Sequence, residues 1–338
     1  MSWLTIGLTP HRLEFLPATL SLMAEHQAII LEEPPHPNFL RFLREEIPVS
    51  AFIEEIEAGF PEYSEKAYTA LREFYQKGKV ICQVEPYLEK QVLIRLLLDE
   101  GAGPEEILNF PDLAEAYKIE HEATGALLEF YAAMGGPFET LVEKIKAFAK
   151  ADAKRIDYRD RLRAHEIKCL LPQFKGPVFI EAGYIHLRLV YYLAQNRHHY
   201  RLRVKNLLLS ATRQQGLSRF LPSPGDGLTS YYLFGGRHRD ISEDLLAARS
   251  LVYIKLIEKE ELAPTEEEPF PHLRNELFWR VFVGQLSFEE CRHLDRFIRL
   301  LPTSKARKVA HELYPKAAET AAKVLTAKFT LNSVGALR

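Results

Sequence analysis

Cysteine is scarce. Cys82, Cys169 and Cys291 are the only three in 338 residues. Wide spacing and an odd count argue against a disulfide framework or a Cys-rich zinc site, and fit a reducing cytoplasm. Each is read as a buried, inert thiol. Charge of one sign is lacking too. The formal net charge is -2, so the whole molecule offers no electrostatic argument for nucleic acid or an anionic membrane. No uninterrupted apolar run approaches the roughly 20 residues that span a bilayer. The amino terminus has neither a basic segment nor a clean apolar run, so no signal peptide is expected. The motif inventory is equally thin. There is no Gly-x-x-x-x-Gly-Lys-Ser/Thr phosphate loop, no Gly-x-Gly-x-x-Gly fingerprint and no Gly-x-Ser-x-Gly elbow. His121-Glu122, His165-Glu166 and His311-Glu312 lack the second histidine of a zinc-protease helix. These absences weigh against nucleotide-driven and serine-hydrolase chemistry, and leave histidine and carboxylates.

What is present is an ordinary globular composition, 47% hydrophobic and 27% charged. Short apolar runs near 4–8, 28–32, 49–54, 79–85, 177–182 and 203–209 read as strands buried on both faces. Helical patterns at 12–26 and 62–77 alternate with them. Strand–helix–strand alternation predicts an α/β fold, a mostly parallel central sheet flanked by helices. Between 86 and 172 only helical patterns occur, which reads as a helical insertion. A Pro- and Glu-rich linker at 263–271 separates an α/β core over 1–262 from a helical carboxy-terminal region over 272–338, expected to pack on that core.

Two histidines close strand-like runs, His11 after Leu4–Pro10 and His186 after Val178–Ile185. In open α/β sheets ligands bind at the carboxyl ends of strands. Carboxylates end neighbouring runs, with Glu32 and Glu33 after Ile29-Ile30-Leu31 and Glu85 after Val80–Val84. Neutral imidazole can bind a divalent metal or act as a base, and a carboxylate can complete the site or orient the ring. His11, Glu32 and His186 are therefore candidate ligands for zinc, manganese or iron.

The segment Arg159-Asp160-Arg161-Leu162-Arg163-Ala164-His165-Glu166-Ile167, followed by Val178 to Gly183-Tyr184-Ile185-His186, resembles the TraB/PrgY/Tiki superfamily and its ChaN-like and erythromycin-esterase-like relatives. Those proteins show Arg-Asn-x-x-Met-Ala-x-x-Ile, then a strand and Gly-x-x-His. Here Asp160 stands for the asparagine and Arg163 for the methionine. Gly7-Leu8-Thr9-Pro10-His11-Arg12-Leu13-Glu14-Phe15 is similar to the Gly-Glu-x-x-His-x-x-Glu-Phe pattern of the esterase branch, with Leu8 for the first glutamate. The resemblance covers about 4–33 and 155–210. It implies a catalytic set of His11, Glu32, Arg159 and His186 on a split α/β core. Superfamily members include metal-dependent peptidases, esterases and a haem-binding protein.

Arg159 can clamp a carboxylate or stabilise an oxyanion. His11 or Glu32 can deprotonate a water, and His186 can bind metal or protonate a leaving group. Glu14, Glu33, Glu85 and Tyr184 are candidates for cofactor contacts. The expected function is a metal-assisted hydrolase of ester or amide bonds on a small molecule or peptide. The alternative is a binding protein for an anionic small molecule or a tetrapyrrole such as haem. A third reading is a scaffold that docks a partner through Phe278, Trp279, Val281 and Phe282, against which an intramolecular core is preferred. Oligomerisation stays open. From Ala182 to Gly225 the chain carries Arg and Lys but no acid, with His198-His199 in the middle. Nucleic acid is disfavoured for it. A solvated face or intramolecular pairing is preferred, with Glu266, Glu267 and Glu268 as candidate counter-charges.

Overall fold

The computed structural model describes residues 3–57, 59–195, 200–215, 221–236 and 241–326. His198 and His199 lie outside the described residues, as do Arg197, Arg219 and the end of the chain from 327. Five strands form one parallel sheet: β1 (Trp3–Thr9), β2 (Ala28–Leu31), β3 (Val80–Gln83), β4 (Val178–Gly183) and β5 (Arg201–Asn206). Their order is β3-β2-β4-β1-β5. Strand β4 therefore lies between β1 and β2, with Thr9 beside Gly183 and Ile30 beside Ile180. The protein is α/β, as the alternation predicts.

The period-2 placement of side chains divides the apolar residues between two faces. Ile6, Ile30 and Ile180 belong to one buried cluster, and Ile29, Leu31 and Phe179 to another. Burying each such side chain stabilises the fold by roughly 1.5–3 kcal/mol. Gly7 on β1 is dictated by this packing. A Cβ there would fall 2.5 Å from the ring of Phe179.

Helices α1 (Leu16–Ala24), α2 (Phe39–Leu43), α3 (Val49–Glu55) and α4 (Pro61–Gln76) separate the first three strands. The expected strand at 49–54 is helix α3. Val49, Phe52, Ile53 and Ile56 all reach one cluster, a spacing of three and four that only a helix satisfies. After β3 come α5 (Pro86–Asp99), α6 (Pro104–Leu108), α7 (Pro111–Ala132) and α8 (Phe138–Leu170), the helical stretch expected at 86–172. Helix α9 (Leu187–Ala194) follows β4, and α10 (Leu207–Gln214) follows β5, so 207–209 are helical rather than the tail of a strand. The remainder is α11 (Pro224–Leu233), α12 (Glu243–Leu256), α13 (Pro271–Gly284), α14 (Phe288–Ile298), α15 (Thr303–Leu313) and α16 (Pro315–Thr326). Residues 263–270 carry no helix or strand.

The chain divides into two compact units. One takes the residues up to Lys118 together with Ile156–Leu208; the other takes Ile119–Arg155 and the residues from Leu209 onward. The boundary thus falls well before the linker at 263–271. The reason is burial: Leu228, Leu251, Val252 and Leu256 share a core with Phe138, Leu141, Phe282 and Leu294, not with the sheet. Trp279 and Phe282 are buried in that core, so the proposed partner-docking face is an internal one. Only Cys291 of the three thiols is buried; Cys82 is half-buried and Cys169 exposed. Among the described residues no helix is long and apolar enough to cross a membrane.

Candidate functional site

The site lies in the first unit, where β1, β2 and β4 end. Glu32 is the first residue past β2. Its Oε1 accepts hydrogen bonds from Arg159 Nη2 and His186 Nε2, both at 2.8 Å. Its Oε2 accepts from the backbone N–H of Gly183 at 2.5 Å and faces Arg163 Nη1 at 3.6 Å. Gly183 leaves this corner uncrowded, since a Cβ there would press on the His186 ring at 3.3 Å.

His186 is held from both sides. Its Nδ1 lies 2.5 Å from Oδ1 of Asp160, and the other Asp160 oxygen accepts from Leu189 N at 2.9 Å, in the first turn of α9. One carboxylate therefore orients the ring and satisfies an otherwise free helix N–H. Although burial favours the neutral ring, the charge of Glu32 and the bond to Asp160 prevail, and His186 is pushed up to about 9. At neutral pH it is an imidazolium donating from both nitrogens. Burial likewise works against the charge of Glu32, but His186, Arg163 and Arg159 outweigh it and hold the carboxyl well below its usual range.

Arg159, Asp160 and Arg163 share the inner side of α8. Arg163 donates from Nε to Val84 O at 2.9 Å and from Nη2 to Glu181 O at 2.7 Å, joining the strand ends of β3 and β4. Glu85 is completely buried beside both guanidinium groups, 3.2 Å from Arg159 Nε and 3.7 Å from Arg163 Nε. These are ion pairs, and among the described residues no donor meets either Glu85 oxygen with full hydrogen-bond geometry. Burial accordingly pushes Glu85 up against the pull of both arginines. Three acids (Glu32, Glu85, Asp160) face three bases (Arg159, Arg163, His186), so the cluster is close to charge-neutral.

Beside it lies a cavity of about 210 Å³. Glu32, Glu33, Glu181, His11, Tyr63 and Tyr68 line its polar side. His11 is half-exposed, with Nε2 3.6 Å from Glu181 Oε1. Tyr63 also hydrogen-bonds Glu181, and its ring meets the His11 ring edge-on with centroids 6.1 Å apart. Glu33 accepts from Tyr68 Oη at 2.7 Å and from Gln83 Nε2 at 2.9 Å. Burial pushes Glu33 up, the charge of Glu181 adds to it, and the Gln83 and Tyr68 bonds oppose both. Adjacent residues of one loop thus have opposite tendencies: Glu32 is fixed as an anion, while Glu33 is drawn toward the neutral acid.

The structure corrects several role assignments. His11 and His186 do not share a cluster: His11 pairs with Glu181 at the cavity, and His186 is sealed against Asp160 and Glu32. Nor do the residues fit a divalent metal. His186 spends both nitrogens as donors, and Arg159 and Arg163 face the Glu32 carboxylate a cation would need. Among the described residues no group of three or more His, Cys, Asp or Glu side chains is placed to hold a metal ion. Haem does not fit the cavity either, because sites for drug-sized ligands run to about 300–1,000 Å³. Glu14 is buried in the 3-10 turn Leu13–Phe15, and Tyr184 lies in the turn after β4; neither lines the cavity. Glu85 belongs to the buried ion cluster. In the basic stretch, Arg188 pairs with Asp157 at 2.6 Å and Arg203 lies over the Trp3 ring, while Glu268 pairs with Arg274.

Asp160, Arg163, Glu181, Tyr63, Tyr68 and Ser64 were not singled out by the motifs as site residues. Signals existed for some. Arg163 stands four residues after Arg159 on one helix face, and Glu181 interrupts an otherwise apolar strand.

No family model and no solved structure matches the chain. A protein of Archaeoglobus fulgidus, described as an uncharacterized protein, is 30% identical over 286 residues, covering 85% of this chain and 95% of that one. That span takes in most of both units, and the chain belongs to the family of this Archaeoglobus fulgidus protein.

Proposed function

We propose that the first unit is a hydrolase of ester or amide bonds whose proton transfers run through His11, without a metal. The observation that carries this reading is the His11–Glu181 pair at the cavity. A half-exposed imidazole beside a buried carboxylate can take a proton, because the carboxylate stabilises the imidazolium that forms. At 3.6 Å the contact is longer than a hydrogen bond, as catalytic contacts often are before substrate closes them. His11 removes a proton from water as the water oxygen attacks the acyl carbon. The tetrahedral intermediate then expels the alcohol or amine, which receives the same proton from His11. Glu32 takes no part as a base, since its oxygens are occupied by Arg159, His186 and Gly183. The Glu32–His186–Asp160 cluster instead fixes the floor of the site, a positioning role.

This reading places the activity in the cytoplasm, in keeping with three free cysteines, on a small molecule or short peptide. The test compares wild type with His11→Ala on panels of p-nitrophenyl esters and peptide anilides. The expected result is a loss of about 100-fold or more in kcat, with unchanged near-UV circular dichroism. Wild-type rates equal to buffer, or equal to those of His11→Ala, throughout both panels would overturn the proposal.

A further inference from the structure

The cavity has a consistent electrostatic sign. Glu32 is neutralised by its own cluster, but Glu33 and Glu181 face the space, and among the described residues that line it only His11 is basic. Among the described residues no lysine or arginine lines it, so they offer an anion no fixed counter-charge there. The remaining wall is hydrocarbon, from Leu16, Leu20, Met23 and Leu71. Ser64 supplies an independent pointer to a ligand. It is only 8% exposed, and its side chain lines the cavity. Its backbone N–H is bound to Phe60 O at 2.9 Å, yet its hydroxyl has no partner among the described residues. That hydroxyl opens onto the cavity and is free to bond whatever occupies it.

We propose that this cavity binds a small aliphatic ammonium group, held between Glu33 and Glu181, with the Ser64 hydroxyl accepting one N–H and the hydrocarbon body against Leu16, Leu20, Met23 and Leu71. The inference rests on the cavity being the reaction site, and narrows the substrate to an ester or amide that carries an amine. Each carboxylate oxygen has two lone pairs. Tyr68 and Gln83 occupy one on each oxygen of Glu33 and leave room for a further donor. An ammonium there also offsets both influences that push Glu33 up, its burial and the charge of Glu181.

Three probes with one body and different heads test this: hexylammonium, 1-hexanol and hexanoate, titrated calorimetrically into the full chain. Hexylammonium is expected to bind about tenfold or more tighter than hexanol, and hexanoate not to bind. Glu33→Gln and Ser64→Ala should each weaken hexylammonium several-fold and leave hexanol unchanged. Hexanoate binding as tightly as hexylammonium, no binding of hexylammonium, or undiminished hexylammonium affinity in Glu33→Gln would overturn the inference. Calorimetry needs no turnover, so the two proposals fail separately. Hydrolysis of neutral esters without ammonium binding removes this inference alone; ammonium binding without hydrolysis removes the hydrolase alone.

Discussion

Nδ1 of His186 lies 2.5 Å from Oδ1 of Asp160, and this contact decides the charge of the ring. With Glu32 on the opposite nitrogen, the imidazole is clamped between two carboxylates. A histidine in that setting is a fixed cation, not a base or a metal ligand.

Asp160→Asn should therefore lower the His186 pKa from about 9 toward its ordinary value. The amide retains a hydrogen bond but loses the charge. Titration of the His186 ring proton by NMR measures the shift. An unchanged midpoint would show that Asp160 does not set the protonation state.

Stability should depend on pH through the same ring. The folded pKa is raised above the ordinary 6.5, so the stabilisation is fully present below 6.5 and is lost as pH rises through about 9. The loss amounts to something on the order of 3 kcal/mol. Glu32 acts at the other end. Its carboxyl is depressed, so its contribution is present above 4.5 and is lost as pH falls through the folded value. Thermal melts of wild type should decline from pH 6.5 to 9, and those of His186→Gln should decline less. Parallel curves would contradict this.

Glu32→Gln should cost about 3–5 kcal/mol in urea unfolding, because Arg159, Arg163 and His186 would then face only Glu85 and Asp160. Glu33→Gln should cost much less, since burial already draws Glu33 toward the neutral form. Equal losses would count against the opposite tendencies assigned to these neighbours.

Gly7→Ala should destabilise by about 1–3 kcal/mol through overpacking. Its Cβ would meet Cζ of Phe179 at 2.5 Å on the adjacent strand. Adding Phe179→Leu should recover part of the loss. A double variant no more stable than Gly7→Ala would show that the ring is not the obstacle.

Much of the sheet was legible in the sequence because parallel strands buried on both faces leave continuous apolar runs. The segments at 4–8, 28–32, 79–85 and 177–182 all overlap observed strands. Residues 49–54 misled for a definite reason. A short apolar run has no period of its own, and Val49, Phe52, Ile53 and Ile56 show helical spacing only when the window is widened. The division into units was hidden more deeply. Helices α11 and α12 are apolar enough to cover a sheet, and their own sequence does not show that α11 packs on α12 and α12 on α13 and α14 instead.

For the site, local sequence determined which groups end the strands. His11, Glu32, Glu85 and His186 follow apolar runs, and a parallel sheet gathers such ends along one edge. Only the tertiary structure decided what those groups are. The order β3-β2-β4-β1-β5 sets Gly183 and His186 against Glu32. Helix α8 brings Arg159, Asp160 and Arg163, each more than 120 residues further along the chain than Glu32, into the same buried volume. A side chain's charge depends on its burial and on its neighbours' charges, and both are properties of three-dimensional packing. That is why two similar strand-end histidines differ, one a buried cation and the other a half-exposed ring at the mouth of a cavity.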